Sequence, residues 1–211
     1  MMSFHKSAVT LALFSATLFA AAHAQARTGG GGLFVEPLLQ YEDSKSEIKS
    51  SQLPLITDDS SGTLKGPGLG LRLGGHVADV VFIAADARYT KTDINDSFYE
   101  KASSSGYNYG LTLGAQTPLF GIRVWGTAVL GGELDPEAGV SNLDLKFKEA
   151  KGHRIGAGIH FAAVAVNLEY QDLKYDKTEI QSWGSLTANN TTDVDTTQKG
   201  LILSLGFPIE F

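Results

Sequence analysis

Gln198 to Phe211 read QKGLILSLGFPIEF. Leu201, Leu203, Leu205, Phe207, Ile209 and Phe211 form an apolar row at a spacing of two, with Gly200, Ser204, Gly206 and Glu210 between them. A period of two is that of a β-strand with one apolar face. Working back through the chain, the same alternation returns in seven further stretches.

The first is Leu33 to Ser44, with Leu33, Val35, Pro37, Leu39 and Tyr41 on one face and Phe34, Glu36, Leu38 and Gln40 on the other. Gly66–His76 sets Leu69, Leu71 and Leu73 against Arg72 and a row of glycines, and Val80–Thr92 sets Val81, Ile83 and Tyr89 against Asp86 and Arg88. Ser105–Thr117, Ile122–Gly132, Gly152–Phe161 and Ala163–Asp172 follow the same scheme. In the second and third stretches Arg72, Asp86 and Arg88 fall on the face opposite the aliphatics. In the fifth stretch, Arg123 is turned away from the lipid side, because an arginine there costs a few kcal/mol near the midplane.

The connections alternate in length. Ser46–Lys65, Asp93–Ser104, Glu133–Lys151 and Leu173–Thr197 are long and polar, whereas the intervening turns, around Ala78-Asp79, Leu119-Phe120 and Ala162-Ala163, are tight. That rhythm predicts an eight-stranded antiparallel up-and-down barrel, with short turns at the end that carries both termini and long loops at the other. Since a bilayer offers no partner for a sheet edge, the last strand must pair with the first. Two aromatic rows are expected at the membrane–water interfaces: Tyr41, Tyr89, Tyr107 and Tyr170 on the loop side, and Phe161, Phe207 and Phe211 on the turn side.

Residues 1–26 carry a basic Lys6, an apolar stretch from Ala8 to Ala22, and small-x-small triplets at Ala22-His23-Ala24 and Ala24-Gln25-Ala26. This is the pattern of a cleaved secretory signal, and the apolar run is short for a spanning helix. A Gly-rich leader at 27–32 and a single barrel domain at 33–211 complete the organisation. No cysteine is present, so disulfides and thiolate chemistry are excluded. The net charge of -6 becomes -7 when Lys6 leaves, which argues against nucleic acid.

On these residues the chain resembles the small outer-membrane β-barrel family that includes the OmpA transmembrane domain, OmpX and OmpW. The resemblance covers residues 33–211, and Leu203, Leu205, Phe207, Ile209 and Phe211 look like the C-terminal assembly signal of such barrels. It implies a bacterial outer-membrane location, contact with outer-membrane lipids and lipopolysaccharide, and handling by the barrel-assembly machinery. It implies no periplasmic peptidoglycan-binding domain. It says little about activity, because fold alone does not give function.

The residues expected in the lumen are Glu36, Arg72, Asp86, Arg88, Arg123, Arg154 and Glu169. Mixed signs inside so narrow a barrel predict a packed ion-pair network; a three-residue loop closing the second hairpin would set Arg72 across from Asp86, and a two-residue turn after the fourth strand would set Trp125 opposite Gly114. A gated polar conduit is the functional counterpart.

Catalytic, cofactor-binding and metal residues are expected to be none. The mature histidines His76, His153 and His160 have no evident nucleophile partner, although a triad assembled from separate strands stays open as the reading of a lipid-modifying enzyme. Loop residues Leu53-Pro54-Leu55-Ile56 form an apolar patch, and Asn189 to Asp195 a polar tip that lacks a calcium-loop pattern. The expected role is a structural or interaction scaffold acting through loops that face an unidentified ligand, with a small OmpW-like channel for apolar molecules as the alternative. A soluble lipocalin-like carrier would need the inverse assignment of faces.

Overall fold

Alternation drives every stave. In the computed structural model, which describes residues 32–49, 60–77, 80–95, 102–117, 121–137, 143–161, 163–183, 186–192 and 195–211, exposed and buried residues alternate without a break along Val81–Asn95. Ten strand segments occur: β1 (Leu33–Ile48), β2 (Ser60–Val77), β3 (Val81–Asn95), β4 (Ala102–Gln116), β5 (Ile122–Pro136), β6 (Leu143–Phe161), β7 (Val164–Trp183), β8 (Leu186–Thr192), β9 (Thr196–Gly206) and β10 (Ile209–Glu210).

Each of β1 to β7 pairs antiparallel with its neighbour in sequence. β9 then pairs with both β7 and β1, so the sheet closes on itself and leaves no edge through the apolar zone. β8, β9 and β10 are consecutive parts of the eighth stave. Pro208, which has no N–H to give, falls at the break between β9 and β10. Phe207 N donates to Pro37 O at 2.9 Å and Phe211 N to Leu33 O at 2.8 Å, so the terminal stretch stays on β1 across the break.

The registers inferred from turn length are present. Arg72 faces Asp86 across β2–β3, and Gly114 faces Trp125 across β4–β5. One detail differs: the ring over Gly114 belongs to Phe82, and the Trp125 indole lies over Gly156, where an added Cβ would come within 2.5 Å of Cε2.

The staves are longer than the alternation suggests. β1 runs to Ile48, β2 starts at Ser60, and β6 and β7 extend over Leu143–Lys151 and Leu173–Trp183, which read as loop. Asn189–Thr192 likewise lie in β8 and not in a loop tip, and His153 is inside β6 and not at its start. The cause is a change in what each face carries. Above the tyrosines the outward side bears Asp43, Lys45 and Glu47 instead of aliphatics, so the contrast that marks a lipid-facing strand vanishes.

The phase also slips. On β5 the buried row passes from Val129 to Leu134, with a register shift against Tyr109/Gly110 and Gly132 at φ 155°. On β7 it passes from Tyr175 to Thr178. A non-glycine residue would be strained at Gly132, and an added Cβ would also meet Asn108. Residues 1–31, the Leu53–Ile56 patch, and Asp193 and Val194 lie outside the described residues.

Candidate functional site

In the middle of the barrel the lumen is built from the even-numbered face of β1, β2, β3, β4, β6 and β9 and the odd-numbered face of β5 and β7. Three layers fill it. At the turn side, Phe34, Phe82, Ala84 and Trp125 pack together. The Phe34 and Phe82 rings meet edge-on at 6.0 Å, and the His76 ring lies 5.0 Å from Phe34.

The middle layer unites all seven charged residues expected there. Asp86 is its hub: Arg72 Nε donates at 3.2 Å, Arg88 through Nε and Nη2 at 2.9 Å each, and Arg154 Nη2 at 2.7 Å. Glu36 accepts from Arg72 Nη1 at 3.2 Å and from Arg123 through both terminal nitrogens. Glu169 accepts from Arg88 Nη2 at 3.0 Å and Trp125 Nε1 at 3.3 Å.

The Trp125 ring lies between two guanidinium groups, Arg72 at 4.9 Å and Arg123 at 5.3 Å from its centre. Neutral acceptors complete the net: Gln40 to Arg88 at 2.6 Å, Asn108 to Arg154 at 2.8 Å and Asn167 to Arg123 at 2.8 Å. Each of the seven charged residues is at most 5% exposed.

Room for these long side chains comes from the glycines opposite them. A Cβ on Gly70 would sit 2.6 Å from Arg88 Cδ, so the missing side chain is the space the arginine fills.

Glu42 centres a separate buried hydrogen-bond group above the net and was not among the expected residues. Its Oε1 accepts from Ser44 Oγ at 2.6 Å, Gln171 Nε2 at 2.6 Å and Gln198 Nε2, while Tyr175 donates to Gln198 at 2.6 Å. With Glu42 counted, four arginines and four carboxylic side chains are buried in this part of the lumen. The signal was available, since Glu36, Gln40 and Glu42 share one face of β1.

The third layer is apolar, and sequence reasoning missed it. Ile48, Leu64, Ile94, Val129, Leu134, Leu145, Phe147, Ala150, Leu173 and Tyr175 form one buried cluster in the outer part of the barrel. Buried Ser46, Thr92, Ser104, Thr178 and Thr196 lie at about the same height, so apolar and polar side chains share the outer part of the interior.

The outside of the barrel is a band of exposed aliphatics. Tyr41, Tyr89, Tyr107 and Tyr170 stand 39–52% exposed at its loop-side margin. Phe161 and Phe211 are the most exposed of these aromatics at the turn side, while Phe207 is half-buried. Leu203 and Leu205 point outward, and Ile209 pairs with Val35. Above the tyrosines runs a collar of ion pairs, among them Asp43–Lys65 at 2.8 Å, Asp172–Lys199 at 2.9 Å and Asp176–Lys151 at 2.8 Å.

His153 faces outward beside Asp172. His76 and His160 line a small space at the turn-side mouth with Phe34, Phe82, Arg123 and Glu210. No group of three or more potential metal ligands occurs among the described residues.

The family model described as the outer membrane protein beta-barrel domain matches residues 10–207. The chain belongs to that family. This outer-membrane β-barrel is similar in fold to the outer membrane protein OprG from Pseudomonas aeruginosa, at 17% identity, with 87% of this chain and 97% of that chain covered and a TM-score of 0.53. It also matches Neisserial surface protein A at 14% identity, 84% and 98% coverage and a TM-score of 0.45. The outer membrane protein AlkL matches at 13% identity, 87% and 93% coverage and a TM-score of 0.47. No curated protein matches the sequence significantly. The family places this barrel in the outer membrane, with the aliphatic band in the hydrocarbon.

Proposed function

We propose that this barrel is a non-conducting scaffold of the outer membrane, presenting its extended outer rim to extracellular partners. The observation that carries the reading is the buried network centred on Asp86 and its four hydrogen bonds from arginines. An ion crossing the lumen would have to separate Asp86 from three guanidinium groups at once. Breaking a buried, hydrogen-bonded pair costs about 3–5 kcal/mol. The aromatic layer below and the apolar layer above add two further barriers to a hydrated ion.

In this reading the long staves and loops face outward and the tight turns face the periplasm, and residues 1–26 are removed on export. Lipid contacts the aliphatic band between the tyrosine and phenylalanine rows. No catalytic role is assigned to the histidines.

A thiol-protection experiment tests the closed lumen, and the absence of native cysteine makes it clean. Thr127 sits in the middle of the lumen, 2% exposed and bonded to Thr112 at 2.8 Å. The variant Thr127→Cys in lipid vesicles should resist a small charged thiol reagent for hours and react at once in denaturant. Rapid labelling of the folded barrel would overturn the reading.

A second reading rests on the apolar upper layer. Its ten residues form a lining that suits an apolar molecule better than an ion, so a route for small apolar solutes is the alternative. Uptake of an apolar solute by vesicles carrying the barrel, abolished by Phe147→Glu, would favour it.

A further inference from the structure

Polar side chains are threaded through the apolar layer of the outer lumen. Five of them are hydroxyls, on Ser46, Thr92, Ser104, Thr178 and Thr196. Each of these residues is at most 2% exposed, and its oxygen has no hydrogen-bond partner among the described residues. Lower down, Arg154 Nε and Gln171 Oε1 are in the same condition. A buried polar group without a partner costs free energy that folding must recover elsewhere, and this many would together rival the whole stability of a typical domain. Bonds to water remove that cost.

The atoms concerned are not scattered. Thr92 on β3 lies directly opposite Ser104 on β4, and Arg154 on β6 directly opposite Gln171 on β7. Ser46 on β1 and Thr196 on β9 are diagonal neighbours, since Ser46 is opposite Gln198 and Ile48 opposite Thr196. Side chains facing across neighbouring strands start about 5 Å apart, a span that one water bridges with two bonds of about 2.8 Å. Thr112 and Thr127 are opposite in the same way, yet they lean together and bond directly at 2.8 Å. Thr92 and Ser104 stay apart.

We infer that the outer lumen is a site for ordered water, with single waters bridging Thr92 to Ser104, Ser46 to Thr196, and Arg154 to Gln171. Folded chains hold about one buried water per 27 residues, so three are an ordinary complement here. The third water joins the Asp86 network to the Glu42 group. Arg154 Nη2 donates to Asp86 at 2.7 Å on one side of it, and Gln171 Nε2 donates to Glu42 at 2.6 Å on the other.

Toward the turn side the wet column ends, because Phe34, Phe82, Ala84 and Trp125 close the lumen with apolar surface. The column is a one-sided inlet for water from the rim. Waters fixed singly between protein groups offer an ion no hydration shell. The one-sidedness rests on the closed lumen proposed above; the three bridges do not.

A double-mutant cycle on Thr92 and Ser104 tests the bridge, with stability read from urea unfolding in lipid vesicles and a formed barrel checked by heat-modifiable gel mobility. Thr92→Val keeps the shape and removes the hydroxyl. With a bridging water, Thr92→Val and Ser104→Ala each lower the unfolding midpoint, and the double variant loses less than their sum, because the second change removes a link already broken. In a dry interior each single variant raises the midpoint, because an unpartnered group is deleted. That result would overturn the inference, as would single effects that simply add.

Water-edited NMR of the wild-type barrel in bilayers reads the waters without any variant. Transfer from water is expected at the Thr92 and Thr196 methyls and not at the Ala84 methyl in the aromatic layer. No transfer at Thr92 and Thr196 would overturn the water site. Equal transfer at Ala84, with the threonines wet, would overturn the one-sided inlet and the closed lumen with it, while leaving the bridges in place.

Discussion

Replacing Asp86 with asparagine keeps the volume of the hub and removes its charge. In the wild type, this carboxylate accepts four hydrogen bonds of 2.7–3.2 Å from Arg72, Arg88 and Arg154, all of them buried. Glu36 still holds Arg72 and Glu169 still holds Arg88, but Arg154 loses its one hydrogen-bonded carboxylate and keeps only neutral acceptors such as Asn108. One positive charge is then left uncompensated in the lumen.

The expected loss is about 3–5 kcal/mol, the cost of breaking a buried pair by removing one partner. Adding Arg154→Met takes away the surplus charge. Since replacing both members of a buried pair with apolar groups is often close to neutral, the double variant should recover most of the loss. Urea unfolding of the barrel in lipid vesicles, followed by tryptophan fluorescence and gel mobility, measures both. Asp86→Asn within about 1 kcal/mol of wild type, or a double variant no better than the single, would refute the electrostatic account of the lumen.

Other expectations follow from packing and charge. Gly156→Ala should cost about 1–3 kcal/mol, because the new methyl meets the Trp125 ring. Gly126→Ala on the lipid side, where the nearest atom is 4.0 Å away, should change stability by less than about 0.5 kcal/mol in the same assay. Phe147→Ala, in the fully buried centre of the upper layer, should cost about 3–5 kcal/mol. A near-neutral effect would mean that this layer is not tightly packed.

In the collar, the hydrogen bond from Lys151 holds the Asp176 carboxyl below the usual carboxylate range. Its contribution is therefore present above the ordinary carboxylate value and is lost as pH falls through the lowered one. A carboxyl NMR titration should show Asp176 moving back up in Lys151→Ala.

How much of this was legible in the sequence depended on the solvent each face meets. Within the bilayer, lipid keeps charge off the outward positions and favours aliphatics there, so Leu69, Leu71 and Leu73 against Arg72 identify the strand and its faces together. Arg72–Asp86 followed from the same periodicity plus turn length. Above the bilayer both faces lose that contrast: Lys45 and Glu47 point out while Ser44 and Ser46 point in, and nothing in the residue types alone separates such a strand from a loop.

The buried row also changes phase near Gly131-Gly132 and again between Tyr175 and Thr178, so a fixed period assigns Leu134, Phe147 and Leu145 to no common face. That is why the apolar layer stayed hidden. The position of the Trp125 ring was hidden for another reason. Register places backbones opposite each other, but a large ring leans to whichever neighbour is empty, here Gly156, while Phe82 occupies the space over Gly114.

Single-channel recording of the purified, refolded barrel in a planar bilayer tests the central claim most directly, with gel mobility confirming that the barrel has formed. A closed lumen predicts no discrete current steps for the wild type at physiological salt. Regular conductance steps from a demonstrably folded wild-type barrel, with ion selectivity that shifts in Arg88→Gln, would contradict it and make the arginine network the wall of a pore.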